Sequence, residues 1–177
     1  MLDLINQAGF FLLKSLAEFL SILLLMRFFM QLFRVSFSNQ IGAFVVQLTN
    51  WLVLPLRKVI PGVFGLDLSS LLPAYLLQVI VLFAAVALQA GPDLPFALIL
   101  IGGLRALLRT SIYLLIGLLI LQAVLSWVNP YSPISRPINQ ITQVFLGPIR
   151  RVVPPIANID LSPLVAILLA QVVLIFI

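Results

Sequence analysis

The side chains of this chain that could take part in chemistry are few. The 177 residues include five acids and ten lysines or arginines, but no histidine and no cysteine. Their absence removes thiol nucleophiles, disulfides, imidazole acid–base catalysis and the usual zinc, copper and haem ligands. We therefore predict no catalytic, cofactor-binding or metal-binding residues, and no enzymatic activity.

Two short basic motifs are the best candidates for a binding role. They read Pro-Leu-Arg-Lys-Val-Ile-Pro at 55–61 and Pro-Ile-Arg-Arg-Val-Val-Pro at 148–154. Proline restricts φ and removes a backbone donor, so a proline at each end stiffens the segment. Adjacent basic side chains among apolar residues can bind a lipid phosphate. Headgroup anchoring and a topology signal are the simpler interpretation. The predicted lipid- or partner-binding residues are Arg57, Lys58, Arg150 and Arg151.

An Asp-Leu-Ser unit follows each basic motif, at 67–69 and 160–162. Asp and Ser cap the free N–H groups of a helix start, and Pro163 suits a first turn. We expect these residues to cap helices and to pair with the preceding basic residues, with a ligand or partner role as the alternative. The predicted structural residues are Pro55, Pro61, Asp67, Ser69, Pro148, Pro154, Asp160 and Ser162.

The composition indicates that lipid surrounds the elements that carry these motifs. Of all residues, 63% are hydrophobic and 8% charged, whereas about a quarter are charged in soluble domains. So few charged groups cannot cover a soluble domain of this size. The net charge of +5 is better explained by anionic lipid headgroups than by nucleic acid, and we predict no direct nucleic-acid partner.

Four apolar stretches are long enough to cross a bilayer, since a span needs about 20 residues. The sequence therefore predicts an all-α membrane protein with about four transmembrane helices. No Lys or Arg precedes Lys14, as a cleavable signal peptide would require, so the first segment is expected to be retained. The predicted spans are 12–33, 71–90, 108–128 and 161–177.

The two long connections, 34–70 and 129–160, each contain an amphipathic stretch typical of a helix in the membrane interface. Residues 94–104 are open to two interpretations. They are either the first turns of a long third helix, or an interfacial piece bent at Gly102-Gly103. We prefer the bent form, because Arg105 and Arg109 would cost several kcal/mol near the bilayer centre. The predicted apolar faces are Ile41, Phe44, Val45, Leu48 and Leu52, and then Ile138, Ile141 and Phe145.

The chain also contains an internal repeat. A shift of 93 residues superimposes 47–84 on 140–177 with 14 identities in 38 positions, and a shift of 95 places Lys14 on Arg109. We predict two parallel repeats, 1–90 and 91–177, each composed of span, amphipathic interfacial helix, basic motif and span. The positive-inside rule places both long basic loops in the cytoplasm and both termini outside.

Polar residues recur inside the predicted spans. Gln78 and Gln171 coincide at the shift of 93 and either join helices by hydrogen bonds or line a pathway. Glu18 follows Lys14 by one helical turn, which predicts an ion pair on the helix surface.

The two basic motifs and their Asp-Leu-Ser units resemble those of the YggT family of small bacterial and plastid membrane proteins. The first copy is less typical, because Leu54 stands where Gly147 precedes the second motif, and Ser70 where Pro163 does. The resemblance implies a multi-pass protein of the bacterial plasma (inner) membrane with four or five helices and no known enzymatic activity. It also implies links with cell division and membrane organisation, osmotic-stress tolerance and, in plastids, cytochrome assembly and nucleoid distribution.

We therefore predict a non-enzymatic membrane scaffold or assembly factor whose cytoplasmic basic motifs bind anionic lipid or a protein partner. The expected partners are membrane lipids, further copies in a homo-oligomer, and a cytoplasmic or membrane protein. The alternative function is a small channel or transport component, with a pathway between the repeats past Gln78 and Gln171.

Overall fold

Six helices form the part of the chain that this computed structural model describes, which is residues 2–60, 62, 65–90, 96–129, 131–153 and 160–177. The predicted all-α fold class is confirmed for those residues. The helices are α1 (Leu2–Leu32), α2 (Gln40–Arg57), α3 (Leu68–Ala90), α4 (Phe96–Val128), α5 (Ser135–Val152) and α6 (Ser162–Phe176).

Three segments among the described residues are long and apolar enough to cross a membrane: Gln7–Leu32, Leu68–Leu88 and Phe96–Val128. They coincide with the first three predicted spans, although the first and third helices begin earlier than expected. Helix α6 has 15 residues, so it is about 22 Å long, less than the roughly 30 Å of a bilayer's hydrocarbon layer. The fourth span therefore stays a prediction.

The preferred interpretation of residues 94–104 as a bent interfacial piece is wrong for its described part. Helix α4 runs without interruption from Phe96 to Val128, while residues 91–95 lie outside the described residues. A Cβ on Gly103 would lie 2.5 Å from Val79 Cγ2, and one on Gly102 would lie 2.5 Å from Leu82 Cδ2. The two glycines thus let α4 approach α3 closely, as small residues do between membrane helices, and the helix continues through both of them.

The helices pack as two groups that meet through α3 and α4. Helices α1, α2 and α3 contact one another, as do α4, α5 and α6, and α4 also contacts both α3 and α1. Each group has the order long helix, amphipathic helix, apolar helix. The division into two domains stays a prediction from the sequence.

Both amphipathic helices lie at one end of the bundle. Val45 of α2 and Ile138 of α5 belong to the same buried cluster as Met30 near the end of α1. Phe33, just beyond α1, meets Phe145 of α5 edge to face with ring centroids 5.8 Å apart. The two basic motifs, at the ends of α2 and α5, are consequently brought to the same end of the molecule.

Candidate functional site

The first half of each basic motif is helical. Helix α2 includes Pro55 and ends at Arg57, with Lys58 as its C-terminal cap, and α5 includes Pro148 and ends at Val152. The cations therefore stand on the last turns of amphipathic helices, where positive charge is stabilised by the helix dipole. The second prolines, Pro61 and Pro154, lie outside the described residues.

Arg57 is held by an ion pair with an acid of the next helix start. Its Nη2 lies 2.6 Å from Asp67 Oδ2 and also donates to Gln31 Oε1 at 2.7 Å. Asp67 is only 3% exposed, and Ser70 Oγ donates to the same carboxylate oxygen at 2.7 Å. Ser69 Oγ donates to the carbonyl of Ile60 at 3.2 Å. These bonds tie the end of α2 to the start of α3.

The second motif repeats the pair in a more open setting. Arg150 Nη2 lies 2.8 Å from Asp160 Oδ2, and both side chains are more than a third exposed. Arg150 Nη1 also donates to Gln143 Oε1 at 2.7 Å, and Asp160 Oδ1 accepts from the backbone N–H of Ser162 at 2.9 Å. Asp160 therefore satisfies a free N–H at the start of α6, while the Ser162 side chain is buried.

The Asp160 carboxyl titrates below its ordinary range. Burial disfavours its charged form, but hydrogen bonds from Ser162 and Arg150 and the Arg150 charge outweigh this and lower the pKa of Asp160. A lowered pKa means that the ionised carboxylate stabilises the fold above the unfolded-state pKa, and that this contribution is lost as pH falls through the folded-state pKa. The pair is therefore intact at neutral pH.

Lys58 and Arg151 differ from the arginines that precede them. Both side chains are exposed. Within the described ranges, no ion pair involves either residue. Each motif thus contains one cation paired with an acid of its own chain and one exposed cation that has no ion pair with any described residue.

A buried arginine that the sequence did not single out lies beside the first motif. Arg27 of α1 is 3% exposed and donates to Thr49 Oγ1 at 2.7 Å and to Asn50 Oδ1 at 3.0 Å. It is repelled by Arg57 and attracted by Asp67. A lone arginine within an apolar span needs polar partners. The position of Arg27 in the sequence could therefore have indicated a buried polar site in α1.

The second group has a glutamine where the first has Arg27. The shift of 95 places Gln122 on Arg27, and the shift of 93 places Thr142 on Thr49. Gln122 is 7% exposed, and its Oε1 has no hydrogen-bond partner among the described residues. It lines a cavity of about 180 Å³ together with Asn139 and Arg150. The second group therefore has a small polar cavity beside Gln122. In the first group the equivalent position is occupied by the side chain of Arg27.

The two intramembrane glutamines lie in different surroundings. Gln78 is 7% exposed and its Nε2 donates to Thr110 Oγ1 of α4 at 3.3 Å. It lines a cavity of about 710 Å³ with Lys14, Glu18 and Arg109. Lys14 and Glu18 form their predicted pair, with 3.8 Å between Nζ and Oε1. Gln171 is exposed on α6 and is not part of this cavity.

Comparison with known proteins assigns the family. The family model described as CCB3/YggT matches residues 6–88 and 101–177. The chain belongs to the CCB3/YggT family. It is 39% identical over 167 residues to the uncharacterised protein YggT of Escherichia coli, covering 92% of this chain and 85% of that protein. An uncharacterised Pseudomonas aeruginosa protein is 34% identical over 167 residues, covering 93% and 85%. No solved structure matches.

A further cation of this CCB3/YggT family member stands in an unusual backbone conformation at the end of α1. Arg34 has a φ of 54°, in the left-handed region that favours glycine. Its N–H donates to the Gln31 carbonyl at 3.1 Å, and the Val35 N–H donates to the Met30 carbonyl at 2.8 Å. These are the paired bonds of a Schellman motif, in which glycine is the usual residue at this position. The exposed arginine thus occupies a position where it costs stability.

We expect Arg34→Gly to raise the free energy of unfolding by about 1 kcal/mol, because it removes the left-handed strain of an L side chain. Thermal unfolding in detergent measures the change. Arg34→Ala is the matched control, since it removes the charge and keeps the strain. Equal stability of the glycine and alanine variants would contradict the explanation.

Proposed function

We propose that this chain is a non-enzymatic membrane scaffold that binds anionic lipid through the free cations at the ends of α2 and α5. The observation that carries the proposal is the division of each basic motif. Arg57 and Arg150 form ion pairs with Asp67 and Asp160. Lys58 and Arg151, which follow these arginines, are exposed. They are available to bind an anionic ligand, because no acid of the described chain forms an ion pair with them.

The surroundings of the free cations favour a lipid surface over a water-facing partner. Val59, beside Lys58, is 79% exposed, and Val152, beside Arg151, is 81% exposed. On the outer side of α2, Trp51 is 66% exposed, and tryptophan is typical of the membrane interface. Cations next to exposed apolar side chains suit a leaflet, which offers phosphate at the headgroups and hydrocarbon just below.

More cations add to this end of the bundle. Arg34 follows α1 and Arg136 opens α5, and both side chains are exposed. Juxtamembrane cations are attracted to an anionic cytoplasmic leaflet by about 1 kcal/mol each. The positive-inside rule assigns this end to the cytoplasm, which supports a bacterial inner-membrane protein with both termini outside.

We expect the double variant Lys58→Gln/Arg151→Gln to bind phosphatidylglycerol about 30-fold more weakly, since two lost cations remove about 2 kcal/mol of attraction. Its thermal unfolding should stay unchanged, because neither side chain has an ion pair to lose among the described residues. Native mass spectrometry of protein from mixed phosphatidylcholine and phosphatidylglycerol nanodiscs counts the retained lipid.

The matched control is Arg105→Gln/Arg109→Gln, which removes the same charge from α4, away from the basic motifs, at two exposed arginines that also have no ion pair among the described residues. Equal retention by wild type and Lys58→Gln/Arg151→Gln would overturn the lipid proposal, as would an equal loss in the control. If retention is unchanged while a cytoplasmic protein ceases to co-purify, the free cations bind protein instead.

A small channel or transport component is the second candidate, and the cavity beside Gln78 is the observation that favours it. The cavity is lined by Lys14 and Arg109 as well, whereas Gln171 lies on exposed α6. Flux of ions or solutes through proteoliposomes, abolished by Gln78→Leu, would favour this candidate over the scaffold.

The proposed physiological setting is cell division or osmotic-stress tolerance. Complementation of a deletion strain under osmotic shock tests it. Rescue by the wild type, and not by Lys58→Gln/Arg151→Gln, would connect the cations to that role.

A further inference from the structure

A polar groove lies between α4 and α5, at the end of the bundle that carries the basic motifs. Its inner part is the cavity of about 180 Å³ beside Gln122, and its outer part is a cavity of about 460 Å³ near the start of α5. Both parts are lined by Ser135, Asn139 and Gln143, which are four residues apart and so share one side of α5. The two cavities therefore adjoin, with exposed Tyr131 at the outer end.

The inner end of the groove contains a buried acceptor without a partner. Gln122 is 7% exposed, and its Oε1 has no hydrogen-bond partner among the described residues. A buried polar atom without a hydrogen bond is destabilising, so a ligand that donates to Gln122 forms a bond that the described chain does not supply. Gln122 precedes the end of α4 at Val128 by six residues, or about 9 Å, so a ligand can reach it from the aqueous side.

In the first group, longer side chains of α1 occupy the equivalent place. The shift of 95 places Gln122 on Arg27 and Ser126 on Gln31. Arg27 and Gln31 make hydrogen bonds within their own group, whereas Gln122 and Ser126 line an open cavity. The inner cavity thus follows from two shorter side chains on α4.

The α5 side of the groove is polar where the first group is apolar. Continued along the two helices, the shift of 93 places Asn139 on Val46. Burial supports this register, because Val45 and Ile138 coincide in it and are 2% and 0% exposed. Among the described residues that line the groove, Leu125 is the one aliphatic side chain. A ligand of the groove is therefore polar along its length.

The charges around the groove favour an anion. Arg136 lines the outer cavity and Arg150 the inner one, and no acid is among the described residues that line either cavity. Arg150 is paired with Asp160, whereas exposed Arg136 has no ion pair within the described ranges. Helix α5 also begins at Ile134 without a side-chain cap, so its first N–H groups attract an anion as well. The outer cavity suits the phosphate group of a ligand.

The group that donates to Gln122 has to be neutral. An ammonium or guanidinium group there would lie beside Arg150, which lines the same cavity. In the first group the acid near Arg27 is Asp67, which is 3% exposed, whereas the equivalent Asp160 is 38% exposed and does not line the cavity. A hydroxyl donates without carrying charge, and it also accepts from the amide groups of the groove. The ligand thus combines a phosphate with at least one hydroxyl group.

We propose that the groove between α4 and α5 binds a phosphate ester that carries hydroxyl groups. Its phosphate lies at Arg136 and the start of α5, and a hydroxyl donates to Gln122 Oε1. Such an ester is available free, as glycerol 3-phosphate, and as the headgroup of phosphatidylglycerol, and both present the same phosphate and hydroxyl chemistry. The site goes beyond the proposed function and uses neither Lys58 nor Arg151.

Equilibrium binding of radiolabelled glycerol 3-phosphate to the purified full chain in detergent tests the site. We expect Gln122→Leu and Arg136→Gln each to weaken binding about tenfold, because each variant loses one polar partner of the ligand. Arg105→Gln is the matched control, since it removes an exposed arginine from the same helix as Gln122 and away from the groove. It should bind as the wild type does. Thermal unfolding verifies that each variant is folded.

A second measurement identifies the source of the ester. In nanodiscs of phosphatidylcholine and phosphatidylglycerol, weaker retention of phosphatidylglycerol by Gln122→Leu than by the wild type assigns the site to the lipid headgroup. Unchanged retention, together with binding of glycerol 3-phosphate, assigns it to the free ester.

Two results would overturn the inference. If the wild type does not bind glycerol 3-phosphate and Gln122→Leu retains phosphatidylglycerol normally, the groove contains only water. If inorganic phosphate binds as tightly as glycerol 3-phosphate and Gln122→Leu changes neither affinity, an anion binds at Arg136 without the buried glutamine. Lys58→Gln/Arg151→Gln should bind glycerol 3-phosphate as the wild type does, so this inference and the proposed function fail separately.

Discussion

Replacing Asp67 by Asn should destabilise the chain by about 3 kcal/mol, whereas Asp160→Asn should cost about 1 kcal/mol or less. The two acids occupy equivalent places in the sequence repeat and pair with equivalent arginines, but their side chains are 3% and 38% exposed. Without the Asp67 charge, Arg57 and the buried Arg27 repel each other with no anion between them. Thermal or denaturant unfolding in detergent measures both variants.

A second substitution identifies the cause of this loss. Adding Arg27→Gln to Asp67→Asn removes one of the two repelling cations and places a glutamine where the second group has Gln122. We expect the double variant to recover part of the lost stability, because the two sites share one network. Equal destabilisation by Asp67→Asn and Asp160→Asn would show that burial of the Asp67 carboxylate is not decisive.

Replacing Gly103 by Leu should cost about 3 kcal/mol, at the upper end of the usual penalty for overpacking. Even a Cβ at this position would meet Val79 Cγ2 at 2.5 Å and the Val79 Cα at 3.3 Å. A β-branched side chain has little rotamer freedom on a helix, so Val79 cannot move aside. The leucine side chain therefore forces α3 and α4 apart at the contact that joins the two groups of helices.

Gly117→Leu is the matched control for that substitution. Gly117 is on the same helix, and a Cβ there meets no atom within 4 Å, because the residue lines the cavity beside Gln78. We expect no loss of stability from this change, measured by unfolding in the same detergent. Equal losses at both positions would mean that leucine is poorly tolerated along α4 in general, and not at the crossing with α3.

Much of the fold follows from local features of the sequence. The long apolar runs predict the helices that begin or end near Leu32, Leu68 and Val128, because hydropathy depends only on neighbouring residues and the length of a span on bilayer thickness. The amphipathic periodicity of α2 and α5 is likewise local. The duplicated motif also predicts which arginines and acids form the two ion pairs.

Equivalent positions in the two halves nevertheless differ in ways that sequence similarity does not reveal. Gln78 is buried against α4 and Gln171 is exposed, although the two glutamines coincide in the repeat. Asp67 is buried and Asp160 is not. The halves have different neighbours, since α3 lies between α1 and α4 whereas α6 lies at the side of the bundle.

The sequence by itself determined that this is an apolar, all-helical chain with basic amphipathic connections, because composition and periodicity are properties of the chain alone. Only the tertiary structure decided that Gly102 and Gly103 bring helices together, that Arg27 is buried, and that Lys58 and Arg151 form no ion pair with the described residues while Arg57 and Arg150 do. Each of these depends on which atoms of a distant segment come within a few ångströms. The neighbours of a side chain are set by the packing of whole helices, and no local pattern specifies them.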